Sequence, residues 1–168
     1  MGILSMLAKG VQAMIDDANT PESFKIGEKF EGYVREFLFL SRHYDLLERT
    51  HSYTTNKDYV ISSLNPDFKF RDRDTKREFY VEAKFRSALY NGKIVWCNES
   101  QLKRYSDINK NTPVFLILGF GEDPGCPDGV YLIPLSQAKY TGLFPSHAEK
   151  FQILPDQLIT SKTLWLKH

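Results

Sequence analysis

Two short segments with the same two-residue period, mirrored about a polar turn, constrain the fold of this chain more than any other feature. Leu64, Phe68 and Phe70 alternate with Asp67, Lys69 and Arg71 in the first segment. In the second, Phe79, Val81, Ala83 and Phe85 alternate with Glu78, Tyr80, Glu82 and Lys84. Such alternation marks a half-buried strand, and Asp72-Arg73-Asp74-Thr75-Lys76-Arg77 between the two reads as a turn. The pattern predicts strands over 64–71 and 78–86. Directly opposed residues of an antiparallel hairpin have numbers of constant sum and point to one face. An odd sum keeps the apolar residues together, and a turn centred on Asp74-Thr75 sets it at 149, or two either side if the turn is irregular. Phe70 then faces Phe79 and Phe68 faces Val81. Asp67 faces Glu82, and Lys84 follows two residues along the same polar face.

That pairing is unfavourable without a ligand. Two carboxylates about 5 Å apart repel by roughly 3 kcal/mol at an effective dielectric of about 20, and sheets avoid like charges directly opposite each other. A shared divalent cation reverses the sign. Hard oxygen ligands suit Mg²⁺ or Mn²⁺, which lower the pKa of bound water and neutralise charge building on a phosphate. Lys84 beside them would orient the nucleophile or stabilise that charge. The competing reading is a solvated hairpin in which Lys69 and Lys84 simply pair with the carboxylates.

Other elements follow from period and punctuation. An apolar stripe through Ile3, Leu4, Leu7, Val11, Met14 and Ile15 predicts a helix over 3–18, packing on the domain or a second subunit. Asn19-Thr20-Pro21-Glu22 is a break and a new helix start, and the next helix is expected from about Phe24 to Arg42. Tyr44 to Tyr53 reads as a strand and 54–57 as a polar loop. Asn98 or Ser100 would cap a helix running to about Asn109. Val114-Phe115-Leu116-Ile117-Leu118 suits a strand buried on both faces. After the turn at 125–129, Val130–Ile133 is a further strand, and the order is an α/β sandwich around a mixed sheet. Residues beyond 134 give no clear pattern.

Pro66-Asp67 followed by Glu82-Ala83-Lys84, with Glu82 15 positions after Asp67, resembles the PD-(D/E)xK signature of restriction-endonuclease-like phosphodiesterases in its E-x-K form. Upstream, Gly27-Glu28-Lys29-Phe30-Glu31-Gly32-Tyr33-Val34 resembles the first core helix of that superfamily, which often supplies a further acidic ligand. Glu31 shares a stripe with Gly27 and Leu38 and borders the core, whereas Glu28 neighbours Lys25, Gly32 and Arg35 and reads as solvated. Downstream, Gln101-Leu102-Lys103-Arg104-Tyr105 resembles the Q-x-x-x-Y element of RecB-like and phage-exonuclease-like members. The resemblance covers about residues 24–120. It implies a restriction-endonuclease-like αβββαβ core with a mixed central sheet flanked by helices, in a single domain over 1–168 with its core at about 24–134. It further implies a Mg²⁺- or Mn²⁺-dependent nuclease acting on DNA. Asp67, Glu82, Glu31 and the Ala83 carbonyl would hold the metal and Lys84 would assist the attacking water.

The formal charge is only +1, but 11 Lys/Arg against 7 Asp/Glu give a local +4 from Asp67 to Lys110, which suits a localised anionic ligand. Gln101, Tyr105, Lys69, Lys103, Arg104 and Arg86 are the expected nucleic-acid contacts, with Arg71, Arg73, Lys76 and Arg77 on the same basic sector. Their competing roles are solubility and, for Tyr105, helix packing. Cys97 and Cys126 form no CxxC pair and the four histidines are scattered, which argues against a zinc site or a disulfide framework. No apolar run approaches a membrane span and the amino terminus lacks a signal-peptide pattern, so a soluble cytoplasmic protein is expected. Coordinated cutting of both strands would favour a homodimer, with the 3–15 stripe as interface. The alternatives are a nucleic-acid- or partner-binding module that keeps the nuclease fold without cutting, and a metal-independent RNA endonuclease. The latter would need a His/Tyr/Lys constellation that the isolated histidines do not offer.

Overall fold

The computed structural model describes residues 21–50 and 64–168. The expected helix at 3–18, the end of the strand at 51–53 and the polar loop at 54–57 lie outside the described residues.

Helix α1, Pro21–Tyr33, starts where proline sits in the first turn, and it continues through one π-helical turn, Val34–Leu38. It therefore ends four residues before the expected Arg42. The Phe39 amide closes the wide turn on the Val34 carbonyl at 2.9 Å, and the backbone then leaves helical geometry. That brings the Phe39 ring against Tyr44, Phe70 and Phe79. Aromatic packing outweighs continuation of the helix here.

The main sheet has six strands in the order β1-β2-β3-β5-β6-β8. They are β1 (Tyr44–Arg49), β2 (Phe68–Asp72), β3 (Glu78–Arg86), β5 (Val114–Phe120), β6 (Gly129–Pro134) and β8 (Gln152–Ile153). Strands β2 and β3 pair Phe68 with Val81 and Phe70 with Phe79, the expected register. Strand β2 starts later than expected: Leu64 lies ahead of it and is exposed rather than part of the apolar face. Strand β3 runs parallel to β5, and the other neighbours in the sheet are antiparallel. A parallel pair needs a crossover. Here it is made by β4 (Ile94–Val95) and helix α2 (Glu99–Asn109). Strand β4 was not expected; it pairs with β7 (Gly142–Leu143) in a second, two-stranded sheet.

The period of two along β3 and β5 splits the interior into two cores. On one face Phe68, Phe70, Phe79, Val81, Phe115 and Ile117 pack under α1. On the other, Leu116, Leu118 and Ile133 pack with Trp96 and Tyr105. Gly119 permits the first contact, because a Cβ there would land in the Phe30 ring of α1. The carboxyl-terminal region forms short helices α3 (Pro145–Ala148) and α4 (Ser161–Leu166). Helix α4 is tied to the hairpin by buried Asp72, which accepts from Trp165 Nε1 at 2.7 Å, from Ser161, from Thr75 at 3.0 Å and from the Asp74 amide at 2.9 Å. Among the described residues no helix is long and apolar enough to cross a membrane.

Candidate active site

Because the odd-numbered side chains of β3 enter the aromatic core, Glu82 and Lys84 emerge on the opposite face, where α2 crosses. The ladder between β2 and β3 ends at Phe68 and Val81, yet the next pair, Asp67 and Glu82, stays linked. The Asp67 amide donates to Glu82 Oε2 at 3.2 Å, and the Ala83 amide donates to Asp67 Oδ2 at 2.8 Å. Each acid is thus gripped by backbone from the other strand. Glu82 is 1% exposed. It is neutralised by Lys84, whose Nζ lies 2.8 Å from Oε1, and receives the Tyr105 hydroxyl on Oε2 at 3.0 Å.

Helix α2 positions that hydroxyl. Asn98 forms a capping box with Gln101: its side chain accepts from the Gln101 amide at 2.8 Å, and the Gln101 side chain accepts from the Asn98 amide at 3.2 Å. One turn later Tyr105 is buried and stacks on Trp96. The two polar residues of the Q-x-x-x-Y element therefore divide: Tyr105 reaches the carboxylates, while Gln101 fixes the start of the helix.

The electrostatics are those of charges crowded out of water. Burial raises the Asp67 pKa well above the carboxylate range, and the Glu82 charge adds to the rise. For Lys84, burial opposes the charge, but the Glu82 and Asp67 carboxylates outweigh it and the pKa rises. Lys84 is an ammonium ion at neutral pH. Burial first and the Glu82 charge second also raise the Tyr105 pKa, so the phenol keeps its proton. Cys97 is pushed up to about 12, chiefly by burial and then by Glu82, and stays a thiol.

Glu31 approaches from α1. Its side chain is only 14% exposed, against 51% for Glu28, as their helix positions predict. Burial raises its pKa, while Arg49 opposes the rise. Arg49 Nη2 lies 3.2 Å from Glu31 Oε2 and 3.5 Å from Glu28 Oε1. Sequence reasoning missed this arginine because the β1–β2 register shifts between Leu46 and Glu48. The extra residue redirects the end of β1, and nothing in the run Tyr44–Arg49 signals it.

Among the described residues no group of three or more Asp, Glu, His or Cys side chains is arranged to hold a metal ion. Asp67 and Glu82 are the pair that comes together, and Glu31 is held by Arg49. A Mg²⁺ ion needs only one or two carboxylates when waters and substrate oxygens fill its remaining positions. Buried Glu82 beside part-buried Asp67, whose pKa is raised, fits that requirement.

The expected basic sector is thinner than its residue count. Lys69 is paired with Glu78 at 3.2 Å, Arg73 with Asp45 at 2.8 Å and Arg71 with Asp45 at 3.5 Å. The Arg77 guanidinium stacks on Trp165. Arg86 donates to the carbonyls of Val95 at 2.7 Å and Phe85 at 2.8 Å, and so holds the crossover rather than facing outward. Lys103 is 81% exposed beside Asp107, and Arg104 donates to Ser100 Oγ at 3.0 Å. A scan of the sequence against protein-family models finds no match, and a search of curated proteins finds none either.

Proposed function

We propose that the protein is a divalent-metal-dependent nuclease of the PD-(D/E)xK type that hydrolyses phosphodiester bonds in DNA. The observation that carries the reading is the meeting of Asp67, Glu82 and Lys84 at one end of the β2–β3 hairpin, with Glu82 buried. Apart from β4 of the small sheet, the order helix, three strands, helix, strand around a mixed sheet supports it.

In this reading Asp67 and Glu82 hold Mg²⁺ or Mn²⁺. The Ala83 carbonyl is a further oxygen, since the N–H and C=O of one strand residue leave the same edge and its amide points to Asp67. Bound there, the cation would supply Lewis-acid charge and an acidified water. The rest of the work falls to the side chains. Lys84, held as an ammonium by its neighbours, donates hydrogen bonds to the attacking water or to the phosphate and is not a proton acceptor. Tyr105 fixes the rotamer of Glu82. Glu31 supports the site through the field it shares with Lys84 and Asp67. The binding-module alternative draws on one observation: the third acid is occupied by Arg49.

The test is cleavage of plasmid, linear duplex and single-stranded DNA with Mg²⁺, Mn²⁺ or chelator. Cleavage should require the metal and fall by about 10²–10³ in Lys84→Ala, the scale of losing one preorganised donor. No cleavage on any substrate, or cleavage indifferent to Lys84→Ala, contradicts the proposal.

A further inference from the structure

A cleft of about 300 Å³ opens between the two-stranded sheet and the start of α2. Its rim carries Tyr90, Lys93, Lys139 and Tyr140, and its α2 wall Glu99 and Leu102. The volume is at the lower end of the range for small-ligand sites, the scale of one base with its sugar and phosphate.

The walls are held by hydrogen bonds. Asn91 and Gly92 both have positive φ, at 49° and 73°, in a two-residue turn closed by Tyr90 N–H to Lys93 O at 2.8 Å and Lys93 N–H to Tyr90 O at 3.0 Å. An Asn-Gly pair is suited to this geometry, and the turn presents Tyr90 and Lys93 at fixed places. Opposite, the Tyr140 carbonyl accepts from Trp96 Nε1 at 2.8 Å and the Thr141 carbonyl from the Trp96 amide at 2.9 Å. Tyr140 thus has an anchored backbone and is 73% exposed as a residue, while Lys93 lies over the ring of neighbouring Phe144 at 5.0 Å. Open aromatic faces interleaved with ammonium groups are what unpaired nucleic acid requires, since every base offers a π-face and every linkage a charge. Two lysines against the single acid Glu99 favour an anionic strand over a neutral or basic partner.

The cleft is also tied to the carboxylate site. Leu102 lines it and Tyr105, three positions along α2, reaches Glu82, a separation of about 4.5 Å along the helix axis. Arg86, two residues past Lys84, holds the Val95 carbonyl in the cleft wall.

We infer that this cleft is a stacking subsite for an unpaired nucleotide and that the substrate presents single-stranded DNA beside the scissile bond. The inference deepens the nuclease proposal and rests on it for the position of the bond, but not for binding.

Fluorescence anisotropy with a labelled oligothymidine and a duplex of equal length, in chelator to prevent cleavage, tests it. The wild type should bind the single strand more tightly than the duplex. Tyr140→Ala should weaken single-strand binding about tenfold, while Tyr140→Phe, which keeps the stacking face, should stay near wild type. Lys93→Ala or Lys139→Ala should each lower the log–log salt slope by about 0.7, the value for one single-strand phosphate contact. Tyr140 is an exposed residue, so its variants should keep the wild-type melting temperature. Duplex cleavage that depends on Lys84, with no preference for single strands or no loss in Tyr140→Ala, overturns the subsite and leaves the nuclease proposal standing. Tyr140-dependent single-strand binding without cleavage of any substrate does the reverse. Failure to bind the single strand overturns the subsite, and the nuclease proposal is then decided by metal-dependent cleavage alone.

Discussion

The Tyr105 hydroxyl donates to Glu82 Oε2 at 3.0 Å, joining the crossover helix α2 to the central strand β3 inside a buried layer. This bond ties the helix to a buried carboxylate. Three donors converge on the Glu82 carboxylate: the Tyr105 hydroxyl, the Lys84 ammonium and the Asp67 amide.

Tyr105→Phe keeps the ring against Trp96 and removes only the donor. We expect a stability loss of about 1.5–3 kcal/mol, the cost of a bond to a charged group. Mn²⁺ affinity should fall roughly 10- to 100-fold, as for other partners that orient a metal ligand. Thermal melts and calorimetric Mn²⁺ titration of the variant check both; unchanged metal affinity would assign Tyr105 to packing alone.

Asp67 should destabilise the metal-free protein at neutral pH. Its folded pKa is raised above the ordinary 3.8, so between that value and the folded pKa the native state holds more protons than the unfolded chain. Stability from this group is present at low pH and is lost as pH rises through the window. Asp67→Asn should raise the melting temperature without metal at pH 7.5, by about 2–4 °C for each kcal/mol recovered, and abolish cleavage. Mn²⁺ should stabilise the wild type more at pH 7.5 than at pH 5, and the variant at neither.

Asp72 carries the opposite sign. Burial disfavours its charge, but hydrogen bonds from Ser161, Trp165, the Asp74 amide and Thr75 outweigh this and lower its pKa. Its stabilisation is present above pH 3.8 and lost as pH falls through the folded value. Asp72→Ala leaves those donors without their acceptor and should cost about 3 kcal/mol. Urea melts from pH 7 down to pH 3 should show the wild-type advantage shrinking at the acid end.

Glu31 is held by Arg49, so it should matter less than the hairpin acids. Glu31→Gln is expected to slow single-turnover cleavage about tenfold, against 10³-fold or more for Asp67→Asn. Equal losses would make Glu31 a full member of the metal shell.

Much of this arrangement was legible in the chain because local and long-range signals agree. The alternation of 64–71 with 78–86 requires an odd pairing sum, the turn centre points to 149, and the structure has that register over Phe68–Arg71. Asn98 was one of two expected caps for α2 and 114–118 the expected buried strand, whereas the part Gln101 plays in the capping box was not anticipated. Where tertiary contacts decide, the sequence was silent. The π turn before Phe39 and the bulge before Glu48 are settled by aromatic packing and by strand twist, not by propensity. Strand β4 is two residues long and exists only through its partner β7. For the same reason the Arg49–Glu31 pair, the carbonyls taken up by Arg86, and the Trp165–Asp72 bond have no signature in sequence spacing.

The most direct measurement is an anomalous difference map from crystals soaked in Mn²⁺. The proposal predicts a peak between the Asp67 and Glu82 carboxylates, within coordination distance of the Ala83 carbonyl, with Lys84 turned from Glu82 toward the ordered water or phosphate. No peak there at Mn²⁺ concentrations that support cleavage, with the ion bound elsewhere, would contradict it.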